Sequence, residues 1–80
     1  MEHYQIDIAN GKIDEIVEIE GVDTEHRRFN GDDGITKIYY TGGKGNVKSI
    51  ICEAFNERGA AYAVEKFLAF MYGKTIPIVP

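Results

Sequence analysis

The chain reads as an α+β fold, a small antiparallel β-sheet made of an N-terminal β-hairpin plus a second hairpin, covered by one C-terminal amphipathic helix. Three observations predict it. Asn10-Gly11 sits between two alternating apolar runs, a β-branched and aromatic run at 35–41 ends in a glycine-dense turn, and an apolar stripe with helical spacing runs from Ala60 to Met71.

The first hairpin spans 4–19. Asn-Gly supplies the two positive φ values that a type I′ turn needs, so the flanking runs should fold back on each other directly. A two-residue turn without irregularity sets Ile8 opposite Ile13, Asp7 opposite Asp14, Ile6 opposite Glu15 and Tyr4 opposite Val17. On that register Tyr4, Ile6, Ile8, Ile13, Val17 and Ile19 form the buried face. Gln5, Asp7, Asp14, Ile16 and Glu18 form the face toward water.

An acidic loop follows at 21–34, where Asn30-Gly31-Asp32-Asp33-Gly34 is dense in turn formers, and residues 25–29 have room for a short edge strand. Strands are expected at 35–41 and 47–55 on either side of Gly42-Gly43-Lys44-Gly45-Asn46. The second of these also fits helical spacing through Ile50, Ile51, Ala54 and Phe55, and the short apolar run after a glycine turn favours the strand. Asn56 is a suitable N-cap for a helix over 57–72, with Ala60, Ala61, Val64, Phe67, Leu68 and Met71 on one side and Gly73 as the stop. The two prolines in Ile76-Pro77-Ile78-Val79-Pro80 forbid continuous helix, which makes 74–80 an extended tail. No repeat or linker divides the chain, and 1–80 reads as a single small domain.

With 44% hydrophobic and 28% charged residues, the composition belongs to a folded globular protein and not to a disordered one. One cysteine, Cys52, excludes an internal disulfide, and no basic-apolar leader or run of ~20 apolar residues is present. A cytoplasmic location is the expectation. The net charge of −4 is uneven: residues 1–34 carry ten acids against three bases, and the remainder carries six bases against three acids. An acidic first half suits a partner with a basic surface.

Catalytic and cofactor signals are weak, and none is assigned. Ser49 and Cys52 are the available nucleophiles, but neither lies in a nucleophile signature, and a base would have to come from His3 or His26 in distant segments. Cys52 reads as a small core residue. His26, with Asp23, Glu25, Asp32 and Asp33 nearby in sequence, offers a small metal-dependent enzyme as one alternative function, although a single histidine and the wrong spacing for a calcium loop make a solvated turn the simpler reading. Gly42-Gly43-Lys44-Gly45 lacks the spacing of a phosphate-binding loop. RNA or single-stranded DNA binding through the Tyr39/Tyr40 strand, with Lys37, Lys44 and Lys48 beside it, is the other alternative, opposed by the overall acidity.

The favoured expectation is a non-enzymatic protein–protein interaction module. Two surfaces carry it. Asp7, Asp14 and Glu18 should gather carboxylates on the outer face of the first hairpin, as in small acidic phage-type inhibitors that mimic nucleic acid, and Tyr62, Phe70 and Tyr72 widen the apolar arc of the helix beyond what one sheet face requires. The second surface could equally serve a homo-oligomer. No cofactor, nucleic acid or membrane partner is expected.

Overall fold

The computed structural model describes residues 1–22, 25–31 and 34–73, so the expectations for Asp23, for Asp32 and Asp33, and for the extended tail at 74–80 lie outside the described residues. Five strands and one helix follow in order: β1 (Glu2–Ala9), β2 (Lys12–Ile19), β3 (Arg27–Asn30), β4 (Lys37–Gly43), β5 (Asn46–Ala54) and α1 (Glu57–Met71). The sheet order is β2-β1-β5-β4-β3, every neighbouring pair being antiparallel. Two hairpins thus meet along β1 and β5, and β3 adds a short strand at the far edge.

Asn10 (φ +57°) and Gly11 (φ +75°) make the expected turn, and Ile8 does face Ile13. The register then shifts. Asp7 faces Glu15, Ile6 faces Ile16, Gln5 faces Val17 and Tyr4 faces Glu18, which leaves Asp14 as one extra residue on β2. This β-bulge corrects the regular register in a definite way: because side chains alternate sides, one extra residue reverses every position after it. Ile16 turns inward and packs on the core, whereas Val17, expected in the core, is 45% exposed. Ile19 pairs with His3 on the outer side of the sheet.

The second hairpin carries a bulge as well. Thr41 faces Ser49 but Gly42 faces Val47, so Lys48 is the extra residue and Val47 points into the core. Gly42 has φ +93°, and a Cβ there would lie 2.2 Å from the carbonyl oxygen of Asn46. Only glycine fits this position.

Helix α1 begins where Asn56 Oδ1 accepts the Gly59 N–H at 2.8 Å. It ends where Gly73 takes a positive φ and the Tyr72 N–H reaches the Leu68 carbonyl. Ala60, Val64, Phe67, Leu68 and Met71 are buried against Tyr4, Ile6, Ile38, Val47, Ile50, Cys52 and Ala54 of the sheet. Phe67 is the centre of this contact, with its ring 4.9 Å from Tyr40 and 5.3 Å from Phe29. Cys52 is fully buried in β5 between Tyr4 and Ile38. At the helix C-terminus, the Gly45 N–H donates to the Met71 carbonyl at 2.7 Å and ties the second turn to α1. No helix among the described residues is long and apolar enough to cross a membrane.

Candidate functional site

The sheet has one face under α1 and one open face. On the open face, His3, Glu53 and Lys37 lie side by side on β1, β5 and β4. His3 Nε2 is 3.2 Å from one Glu53 carboxylate oxygen, and Lys37 Nζ is 3.9 Å from the other. Partly exposed pairs of this kind contribute at most about 1 kcal/mol each. One row along the same face, between Gln5 and Tyr39, Ile51 is buried even though it belongs to the open side.

The carboxylates expected to cluster on this face are divided by the bulge at Asp14. Asp7 stays on the open face, where its cross-strand neighbour is Glu15 instead of Asp14, and Asp14 occupies the bulge itself. Glu18 faces Tyr4 on the helix side. Its charge joins burial in raising the Tyr4 phenol pKa above the ordinary tyrosine value; burial is the larger cause, and Glu2, Glu57 and Cys52 add to it. All three predicted acids are exposed, but they do not form one surface.

The tyrosine pair of β4 is divided by simple alternation. Tyr39 stands on the open side across from Ile51 and Arg28, while Tyr40 is packed on Phe67 under the helix. A stacking platform that uses both rings is not formed.

His26 lies close to Ser49, 23 residues away, with Nε2 3.1 Å from the Ser49 hydroxyl. Sequence reasoning had both residues as candidates but no signal to join them, because the contact depends on β3 lying beside β4. The imidazole Nδ1 is buried and, among the described residues, has no hydrogen-bond partner. A buried unsatisfied nitrogen costs about 1–3 kcal/mol, so the contact is a constrained one. Its visible effect is to hold the segment entering β3 against the central strand β5. Among the described residues no group of three or more His, Cys, Asp or Glu side chains could hold a metal ion.

Along the helix flank, side chains enclose space. A cavity of about 290 Å³ lies between α1 and the β3 edge, lined by Phe29, Gly31, Thr36, Tyr62, Ala63, Lys66 and Phe70. Tyr62 and Phe70, two of the residues expected at a partner surface, are 61% and 49% exposed. The Phe70 ring is 5.6 Å from that of Phe29, with the Lys44 ammonium 4.7 Å from its centroid on another side. Lys66 similarly covers Tyr62 at 4.6 Å. Tyr72, the third expected aromatic, does something else: its hydroxyl accepts the Val47 N–H at 3.2 Å and fastens the helix end to the second hairpin. Phe29 is the lining residue that sequence reasoning missed, since nothing local marks a β3 residue as a neighbour of α1.

The groove floor is fixed by the backbone. Gly31 donates to the Thr36 carbonyl at 2.8 Å, and Gly34 donates to the Gly31 carbonyl at 3.1 Å. Comparison with protein-family models, curated proteins and solved structures finds no match for this chain.

Proposed function

We propose that the chain is a non-enzymatic protein-interaction module that works through the groove between α1 and β3. The observation that carries this reading is the cavity of about 290 Å³ with Tyr62 and Phe70 as its exposed rim. A volume at the lower end of small-molecule sites, walled by aromatic rings, suits one or two apolar anchor side chains of a protein partner better than an entire cofactor. Lys66 and Lys44 favour acidic groups next to that anchor, their ammonium groups already lying on the Tyr62 and Phe70 rings.

The experiment is site-specific photo-crosslinking in cells. A photoreactive residue at Tyr62 or Phe70 is expected to give a discrete protein adduct that is lost when Ala63→Arg fills the groove, with folding of that variant checked by circular dichroism. The same residue at Lys12, on the opposite edge of the sheet, should not give that adduct. Identical products from Lys12, or none from either groove position, would remove the reading.

A further inference from the structure

We infer that this chain associates with further copies of itself head to tail, β2 of one copy accepting β3 of the next as an added strand. Both strands are edges of the sheet, so each has an outer row of backbone N–H and C=O groups that no strand among the described residues pairs. The two edges carry opposite charge. From Lys12 to Glu20 the β2 edge exposes Asp14, Glu15, Glu18 and Glu20 against one lysine, while the four residues of β3 include Arg27 and Arg28, both exposed.

These charges decide between the possible pairings. Joining β2 to β2 in a two-fold dimer would bring acids together, and joining β3 to β3 would bring arginines together; like charges on neighbouring strands destabilise a sheet. Only the unlike edges attract. Because direction alternates across five antiparallel strands, β2 and β3 point the same way, so a translated copy presents β3 parallel to β2. The bulge at Asp14 disturbs only the start of β2 and leaves Glu15 to Ile19 regular, which is long enough for the four residues of β3.

Side-chain alternation makes the match specific. Glu15 and Val17 share the open face with Asp7 and Gln5, and Arg28 shares it with Tyr39. Ile16 and Glu18 belong to the helix face with Ile6 and Tyr4, and Arg27 belongs to it with Tyr40. In the face-matched alignment that sets Arg27 beside Ile16 and Arg28 beside Val17, each arginine has an acid one pleat away on its own side. That acid is Glu18 for Arg27 and Glu15 for Arg28. Heterologous contacts between copies related by translation along the sheet do not close on themselves, and they give open chains whose length grows with concentration.

The test uses two variants of the full chain, R27E/R28E and E15K/E18K, studied by analytical ultracentrifugation at low and high salt. Wild-type protein is expected to form a concentration-dependent series of oligomers at roughly 10 mM ionic strength, where charges act over about 30 Å, and to fall back to monomer at roughly 1 M. Each variant alone should stay monomeric. Mixed in equal amounts, they should regain a series in which the two variants alternate, because the reversed β3 edge of one meets the reversed β2 edge of the other with opposite charge and the two intact edges pair as in wild type. Mixing either one with wild type should shorten the chains by capping one end. Neutral variants R27Q/R28Q and E15Q/E18Q, expected to weaken assembly by at least tenfold, replace any charge-reversed form that fails to fold. Wild type that stays monomeric up to about 1 mM at low salt, or oligomers unaffected by either pair of substitutions, would overturn the inference. Tyr62→Ala and Phe70→Ala should leave this assembly intact, which separates its failure from failure of the groove.

Discussion

The two hairpins of the sheet each turn through two residues, and each gains one extra residue on its return strand, yet the two bulges are held in different ways. In the second hairpin the irregularity is built around Gly42, whose positive φ and closeness to the Asn46 carbonyl leave no room for a side chain. In the first, Asp14 is the extra residue, and its neighbours Ile8 and Ile13 need no special backbone conformation. One bulge is enforced by local geometry. The other carries no such local mark, and its effect is felt at the core, where the displaced strand sets Ile16 in place of Val17.

Four measurements test this contrast. The largest effect is expected from Gly42→Ala: combining a strained φ with a backbone collision, it should cost about 3 kcal/mol or more in chemical denaturation. A cost below about 1 kcal/mol would mean that the second bulge is no more constrained than the first. Next comes the pair Ile16→Ala and Val17→Ala. With the bulge at Asp14, Ile16→Ala should cost about 1–2 kcal/mol and Val17→Ala under about 0.5 kcal/mol, and a regular hairpin would reverse that order.

Deleting Asp14 is the third test and should change stability by less than about 1 kcal/mol, since the remaining pairs from Glu15 onward keep their partners. Loss of folding would show that the first bulge has a local role of its own. The smallest effect concerns Tyr4. Its raised phenol pKa means that the folded chain holds the proton more tightly than the unfolded chain, so this contribution to stability is complete below the unfolded tyrosine pKa and is lost as pH rises through the folded value. Glu18→Gln should move the alkaline absorbance transition of Tyr4 to lower pH. No movement would contradict the bulged register, which is what brings Glu18 opposite Tyr4.

The same contrast explains how far the amino-acid sequence could be read. Asn10-Gly11, the Asn56 cap and the stripe through Val64, Phe67 and Met71 are local signals, each complete within a few residues, and the fold class follows from them. The Asp14 bulge has no such signal. Regular alternation places Val17 inward and Ile16 outward, and the extra residue at Asp14 exchanges them. For the candidate groove, Tyr62 and Phe70 were visible as a widening of the helical arc, but Phe29 was not, because its place depends on β3 joining the far edge of the sheet. The proximity of His26 and Ser49 was hidden for the same reason.

Cys52 gives the molecule a built-in clock. It is the chain's only thiol, sits on the central strand with no surface exposed, and is covered by the helix on which the core depends. A thiol reagent in solution reaches it only when that cover opens. With reagent concentrated enough to react before the cover recloses, the rate at which Cys52 is modified therefore counts openings of the core, without any engineered label. Fraying at either edge strand, or an occupant entering or leaving the groove, would pass unrecorded, whereas separation of α1 from the sheet would register at once.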